Sequence, residues 1–463
     1  RDFCLSRGLG DVYKRQVWGL TVSAVGNHEF DRSVADFNNR VAAPANGIDW
    51  LCANVSSANK SATGKLSHVK DYTIRTVNGK RIGFVGALTD ALGSVSTPQI
   101  TEDADLSERA VDALNRVAGE LKRSGKVDAV VALLHADASA ATGLGRDVDL
   151  VYTGHTHAVK QGVTDGGAPI YEAGSFGQNM AVQDLIITGH GRHAKVQVAD
   201  VNLGNGTEAT AVPGVLNVEG LDAHPRQAAW MSAGVVSNGS VARSRQLYTK
   251  ANYAASAGNA VIGTLAPGTN FDKRTSVGHE GSVGMLVADA NRESIMRNVY
   301  AGTRLPVVGF SNDGSLRTKQ LDMDEDGKVT IREVDSLMAL QFHAAHETLT
   351  GLGLKAVLAQ QFHRNDDGEL EHRWLGISSN VRYRYVQCGD GGATCTLGDS
   401  DGNGNQHTGV KATVGIVDLT IDGRPIADDD LVIIASNSYL LQGGDNYSAF
   451  RAGSNYGELE MSY

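Results

Sequence analysis

Three short polar runs each close an apolar stretch: Gly26-Asn27-His28-Glu29-Phe30-Asp31, Leu134-His135-Ala136-Asp137 and Gly154-His155-Thr156-His157. Imidazole and amide side chains suit divalent transition metals. A lone histidine is more often structural than a ligand. Three such runs, each at the exit of an apolar strand, reverse that balance, because side chains at strand ends can converge on one crevice of an open α/β sheet. A second pattern lies at Asp322-Met323-Asp324-Glu325-Asp326-Gly327-Lys328-Val329-Thr330-Ile331-Arg332-Glu333. It fits a twelve-residue calcium loop at every side-chain position: Asp322, Asp324 and Asp326 at positions 1, 3 and 5, Gly327 at 6, Lys328 at 7 through its carbonyl, an apolar residue at 8 and Glu333 at 12. A solvated acidic turn is the other reading of the same run. Asp399-Ser400-Asp401-Gly402-Asn403-Gly404-Asn405 repeats the first half of the pattern, but Val410 stands where the closing glutamate is needed.

The elements that must position these residues are legible in outline. Residues 20–25 read as a strand, 32–41 as helical and 50–55 as a short buried strand. Strands at 72–77 and 81–85 flank Asn78-Gly79, a strong hairpin signal. Residues 105–123 have helical periodicity, with Leu106, Ala110, Val111, Leu114, Val117 and Leu121 on one face. Strands at 127–134 and 148–152 run directly into histidine motifs, and two more, at 182–187 and 194–201, complete an α/β domain ending near 214. Residues 215–258 read as a connector. The second domain, 259–463, is expected to carry helices around 282–298 and 333–361. Its strands fall near 374–386, 410–421 and 431–436. Residues 389–409, rich in Gly, Asp and Asn, form a loop.

Composition bounds the class. The 463 residues suffice for two or three domains at roughly 150 residues each. At 41% hydrophobic, with a mean hydropathy of −0.20 and no long uncharged apolar run, the chain is expected neither to span a membrane as a helix nor to be disordered. The formal charge of −10 argues against nucleic acid or an anionic membrane as the main partner. Glycine at 55 and proline at 8 suit many tight turns between short strands, and four cysteines are too few for a disulfide scaffold. Cys388 and Cys395 bracket a loop that a disulfide could close, whereas Cys52, in an apolar strand, is expected to be a buried free thiol. Residues 1–16 show no periodicity, and the run DVYKRQ can be read back as GATGTGTATAAGAGACAG, which looks like a transposon-end adapter. They are excluded from fold reasoning, and native sequence is expected from about Val17.

GNHEFD, LLHAD and GHTH resemble the later motifs of calcineurin-like metallophosphoesterases, specifically the two-domain 5′-nucleotidase family, and the resemblance runs from about Leu20 to the C-terminus. It implies an α/β chain: an N-terminal calcineurin-like domain (a β-sandwich flanked by helices, 17–214) and a C-terminal α+β nucleotide-binding domain. It also implies that Asn27, His135 and His155 ligate one metal and that His157 helps ligate a second, the ions being zinc, manganese or similar. His28 and Asp31 match the family's catalytic dyad, in which the histidine stabilises charge developing on the phosphoryl group and the aspartate orients it. All four implied ligands are neutral, and two divalent ions about 3.5–4 Å apart repel strongly without a bridging anion. The family supplies that anion from a D-x-H and a G-D motif, neither of which precedes Asn27 here. The chain is therefore expected to be a fragment whose own activity is in doubt.

In the second domain, Asn312-Asp313-Gly314-Ser315-Leu316-Arg317 resembles the family's N-x-G-x-x-R segment, which makes Arg317 a substrate contact. Trp374-Leu375-Gly376-Ile377-Ser378 resembles the strand carrying the first base-stacking aromatic. Asn437-Ser438-Tyr439 followed by Gly443-Gly444-Asp445 resembles the N-x-F…GGD segment, with Tyr439 as second ring and Asp445 as a nucleoside acceptor. Tryptophan and tyrosine stand where phenylalanine is usual, so base preference stays open. Without the resemblance, both rings would read as core aromatics. Residues 327–333 also occupy the family's G-x-I-T turn. The resemblance implies hydrolysis of a nucleoside 5′-monophosphate by in-line attack on phosphorus. A 2′,3′-cyclic phosphodiesterase with 3′-nucleotidase activity and a UDP-sugar hydrolase share the motifs. A thiosulfohydrolase would not need two base-stacking rings. A calcium-stabilised binding protein on a degenerate scaffold is the non-catalytic alternative. A periplasmic or extracellular setting is expected, as is common for the family, with the export signal absent from the sequence in hand. The chain ends soon after the GGD segment, where the family continues into a further helix, so truncation is expected there as well.

Overall fold

The computed structural model describes residues 20–175, 177–201, 212–217, 258–273, 281–340, 342–364, 370–387, 395–397 and 410–462. The chain divides into two units, Arg1–Leu92 with Gln99–Lys250 and Gly93–Pro98 with Ala251–Tyr463. In the first, β1 (Val22–Ala24), β2 (Asp49–Leu51) and β3 (Val69–Lys70) form a small parallel sheet. A larger sheet has the order β4-β5-β6-β7-β9-β8, from β4 (Tyr72–Val77), β5 (Lys80–Leu88), β6 (Ala129–His135), β7 (Leu150–Thr153), β8 (Val159–Val163) and β9 (Pro169–Ala173). Its four inner strands run parallel, and β4 and β8 close the edges antiparallel.

Both faces of the inner strands are covered, which is why β6 reads as an unbroken apolar run rather than an alternating one. Val130, Ala132 and Leu134 pack under α1 (Ala110–Arg123) with Leu114, Val117 and Leu121. Val131 and Leu133 face the opposite way, toward Leu185 and Val198 of the hairpin formed by Gln183–Thr188 and Lys195–Asp200. Asp112 in the first turn of α1 and Lys122 and Arg123 in its last complement the helix dipole. The β4–β5 turn takes positive φ at both centres, 49° at Asn78 and 77° at Gly79, as a two-residue hairpin requires. Phe30, Phe37 and Trp50 make an edge-to-face chain with centroids 5.3 and 5.2 Å apart, fixing the β1 exit to the small sheet. Cys52 lies in that core as a free thiol, wholly buried, and burial pushes its pKa up to about 12.

The second unit is built on a five-stranded mixed sheet of β10 (Val307–Asn312), β11 (His343–Thr350), β12 (Leu375–Ile377), β13 (Leu431–Asn437) and β14 (Ser454–Ser462), in the order β12-β10-β13-β11-β14. α2 (Ser282–Asn298) lies where the periodicity puts it. The helix expected over 333–361 is three elements: a short helix, Ile331–Leu337, then β11, then α3 (Gly351–Ala359). Pairing on both edges, to β13 and β14, overrides the helical propensity of the Ala-rich start of β11. Thr350 restarts the helix by accepting the Gly353 N–H. The strand expected over 374–386 is likewise split, into β12 and Val381–Gln387, by a turn at Ser379 and Asn380. Residues 1–16, the connector apart from Val215–Asn217 and Gly258, Cys388 of the expected disulfide and the half-loop at 399–405 lie outside the described residues.

Candidate functional site

The β1 strand delivers Asn27–Phe30 as a single tight turn in which the Gly26 N–H donates to Glu29 Oε2 at 2.7 Å. A Cβ on Gly26 would stand 2.8 Å from His135 Nε2, so the turn can approach the β6 exit only with glycine there. The approach brings Asn27 Oδ1 to 2.7 Å from His135 Nε2, with the two residues 4% and 3% exposed. His135 Nδ1 is buried without a hydrogen-bond partner among the described residues. The His155 ring meets His135 edge-to-face, centroids 4.8 Å apart. His155 and His157 both take left-handed backbone conformations, φ 91° and 61°, which non-glycine residues adopt at a cost and chiefly where function holds them. Asn27, His135 and His155 are thus brought together, and His157 lies two residues away on the same turn, exposed.

Beside them, His28 Nδ1 lies 3.1 and 3.2 Å from the two carboxylate oxygens of Asp31, both side chains partly open to solvent. Such a pair fixes the tautomer and directs Nε2 outward. The neutral donors Asn27, His135 and His155 fit one divalent transition metal. Among the described residues no three His, Cys, Asp or Glu side chains gather as a metal would hold them, so the carboxylates that a second ion needs are not in this group.

Sequence reasoning missed Glu172, a fully buried carboxylate on β9. Its Oε1 accepts the Thr156 hydroxyl at 2.6 Å and its Oε2 the Ala138 N–H at 3.3 Å, tying the GHTH turn to the segment after His135. The signal was a charge inside the apolar strand Pro169–Ala173. Asp137 lies on the outer side of the same turn, its carboxyl held well below the usual range by Lys160 and by Ser139.

In the second unit, Asn312 and Asp445 are joined by Asn312 Nδ2 donating to Asp445 Oδ2 at 2.7 Å, and the Tyr439 hydroxyl donates to Asp445 Oδ1 at 2.7 Å. A Cβ on Gly444 would lie 2.4 Å from the Tyr439 ring, which accounts for the second glycine of the GGD segment. One face of each candidate ring is covered: His372 stacks on Trp374 with centroids 3.4 Å apart, and Phe342 on Tyr439 at 5.0 Å and 12°. Arg373 reaches the Asp445 carbonyl at 2.6 Å, so the Trp374 strand and the GGD turn are neighbours. Trp374 lines a small cleft with Lys273, Ser311, Asp313 and Leu316. Arg317 Nη1 donates to the Gly314 carbonyl at 3.1 Å, closing its own segment. In the acidic loop, Asp322 and Glu333 are buried, while Asp324 and Asp326 face solvent beside Arg332 and Lys328.

Residues 261–452 match the family model of the 5′-nucleotidase C-terminal domain. The chain is similar to the cell wall protein Lmo0130 of Listeria monocytogenes, 22% identical over 94% of this chain and 54% of that protein. It is also similar to the trifunctional nucleotide phosphoesterase YfkN of Bacillus subtilis, 21% identical over 98% of this chain and 29% of that protein. It therefore spans about half or less of the length of these curated relatives. Among solved structures, a 5′-nucleotidase precursor from Thermus thermophilus superposes with a TM-score of 0.61 at 17% identity, covering 100% of this chain and 82% of that one. That likeness establishes the two-domain fold.

Proposed function

We propose that this chain, whose residues 261–452 match the 5′-nucleotidase C-terminal domain, belongs to an enzyme that hydrolyses phosphate esters of nucleotides, nucleoside 5′-monophosphates first among them. The observation that carries the reading is the β1 turn: it holds Asn27 against His135 and, one residue on, His28 against Asp31. In this reading Asn27, His135 and His155 hold one divalent ion, and His157 contributes to a second with carboxylates from outside the described residues. Bound ions supply Lewis-acid stabilisation of the charge on the transferring phosphoryl group. Asp31 accepts the hydrogen bond from the His28 Nδ1 proton and orients the ring, so that the ring, doubly protonated, presents its Nε2–H to the reacting oxygens as a cationic donor. Arg317, Trp374, Tyr439 and Asp445 receive the nucleoside, with stacking tolerant of base identity because every base has a π-face. A broader reading, in which cyclic or diphosphate esters are also accepted, follows from the motifs such enzymes share, and a relative described as a trifunctional nucleotide phosphoesterase agrees with more than one ester being accepted.

A setting outside the cytoplasm is part of the proposal, supported by the cell wall protein among the relatives. Among the described residues no helix is long and apolar enough to cross a membrane. The test is phosphate release by the whole protein to which this chain belongs, from AMP, 2′,3′-cyclic AMP, UDP-glucose and an aryl phosphate, with zinc or manganese and with chelator. Metal-dependent release from AMP above the aryl ester supports the reading. Nucleotide binding without turnover under every metal would favour the degenerate scaffold instead.

A further inference from the structure

The acidic loop 322–333 has no part in that reaction. We propose that it is a calcium site: Asp322 and Glu333 form its buried floor, and Asp324, Asp326 and the Lys328 carbonyl complete the oxygen set. Asp322 is 2% exposed. Its Oδ2 accepts the Gly327 N–H at 2.7 Å across the loop, which places the carboxylate on the concave side. Its other oxygen, Oδ1, is buried with no hydrogen-bond partner among the described residues. A carboxylate oxygen removed from water and left unpaired is costly. A hard cation that takes six to eight oxygen ligands is a partner that offsets that cost.

The rest of the loop agrees with that occupant. Gly327, at the sixth position, takes φ 75°, the sharp turn that this loop length needs. Val329, at the eighth, is buried in the short strand Lys328–Thr330. Glu333, at the twelfth, is 1% exposed and opens the helix Ile331–Leu337 through a capping box with Thr330. Its Oε1 accepts the Met323 N–H at 2.9 Å, so the carboxylate is already turned back toward the start of the loop. From outside, Asn270 clamps the loop mouth, accepting the Asp322 N–H at 3.1 Å and donating to its carbonyl at 2.8 Å. Both Glu333 oxygens already accept hydrogen bonds, and among the described residues the four carboxylates do not converge, so they must turn in as the ion binds, Asp324 and Asp326 above all. Those two are held outward by exposed ion pairs with Arg332 and Lys328, at 3.0 and 3.3 Å, and such surface pairs contribute little. Asp326 Oδ1 also accepts the Lys328 N–H at 2.9 Å, a bond that the ion must replace.

The test is calorimetry of the full chain, stripped by chelator, with calcium chloride and, separately, magnesium chloride. One calcium event is expected, with Kd between about 10⁻⁶ and 10⁻³ M, and weaker magnesium binding. The melting temperature should rise with calcium. Glu333→Gln keeps the capping box with Thr330. Its amide nitrogen cannot accept the Met323 N–H, so its melt in chelator should fall slightly, and the calcium-induced rise in melting temperature is what is compared. Its calcium affinity, and that of Asp322→Asn, should fall roughly tenfold or more. His155→Ala should keep the calcium heat. No heat and no melting shift in the parent would overturn the proposal, as would unchanged heat in both loop variants. Heat lost in His155→Ala but kept in Glu333→Gln would assign the ion to the histidines and overturn it equally.

Discussion

Asn27 Oδ1 and His135 Nε2 stand 2.7 Å apart across 108 positions of sequence, in a pocket where both residues are almost wholly buried. Neither polar group reaches that depth for packing reasons, because burying an amide and an imidazole stabilises little unless each is satisfied. Their contact satisfies both groups, and under the proposed function the two would instead share a divalent ion. Asn27→Ala and His135→Ala should each lower bound zinc or manganese after dialysis, by tenfold or more in affinity on the order seen when metal-site groups are lost. Elemental analysis of the dialysed proteins, beside a melt of each, measures it. Unchanged metal content in folded variants would remove both residues from the ligand set.

His28→Ala should leave KM for a nucleotide nearly unchanged and reduce kcat by about 10²-fold or more, since a donor aimed at developing charge acts in the transition state. Asp31→Ala should follow in the same direction through loss of ring orientation. Steady-state kinetics on the metal-loaded protein separates the two parameters. A rise in KM alone would make His28 a binding residue rather than a catalytic one.

Both pairs were legible because their signals are local: a strand of apolar residues that stops, and a polar run of fixed spacing at the stop. The parallel strands β5 and β6 and the helix α1 were readable for the same reason, as long runs of one period. The relations that hold the site together were not. Nothing near Glu172 says that Thr156 will donate to it, because the bond depends on β7 and β9 lying side by side in register. Phe342 and His372 escaped for the same cause, since a ring's stacking partner is a property of the sheet. The helix expected through β11 failed because alanine-rich sequence yields to strand pairing on two edges.

Glu172 positions Thr156, the residue between the two histidines of the GHTH turn. Glu172→Ala removes the nearer acceptor, leaving Asp137 Oδ2 at 3.2 Å, and should weaken metal binding by about ten- to 100-fold, the range for a group that orients a ligand. Glu172→Gln keeps a carbonyl oxygen for the Thr156 hydroxyl and should recover most of that affinity. Metal titration below the melting temperature of each variant makes the comparison. If both variants bind as the parent does, Glu172 only supports the fold.

A pH effect should come from Glu347. Burial raises its pKa to about 9, from an ordinary value of 4.5, and its Oε1 has no hydrogen-bond partner among the described residues. Between those two values the folded chain holds a proton that the unfolded chain releases, so this group's contribution to stability is full below pH 4.5 and is lost as pH rises toward 9. The slope from this group is at most about 1.4 kcal/mol per pH unit. Thermal melts of the parent at pH 6 and pH 8.5 should therefore show a drop that Glu347→Gln reduces. Parallel pH profiles for the two proteins would show that Glu347 titrates normally.

Trp374 decides between a base platform and core packing. It is half-buried, carries His372 on one face and borders the cleft with Lys273 and Asp313. If a base rests on it, Trp374→Ala should cost about 1–3 kcal/mol of nucleotide binding, which is roughly five- to 150-fold in kcat/KM. An aryl phosphate offers the same phosphoryl group and no purine or pyrimidine, so its hydrolysis should change little. Were the ring core packing, the substitution would destabilise the protein by about 3–5 kcal/mol, and both substrates would suffer together as it unfolded. Tyr439→Phe supplies the complementary arm. It keeps the ring stacked on Phe342 and removes only the hydroxyl that donates to Asp445 Oδ1. Losing that bond should disturb the acceptor more than the platform, with a fall in kcat/KM confined to nucleosides that hydrogen-bond to Asp445. Kinetics with AMP and the aryl ester, and a melt for each variant, give the answer. A loss restricted to the nucleotide at unchanged melting temperature places the base on Trp374, and equal losses with a lowered melt return it to the core.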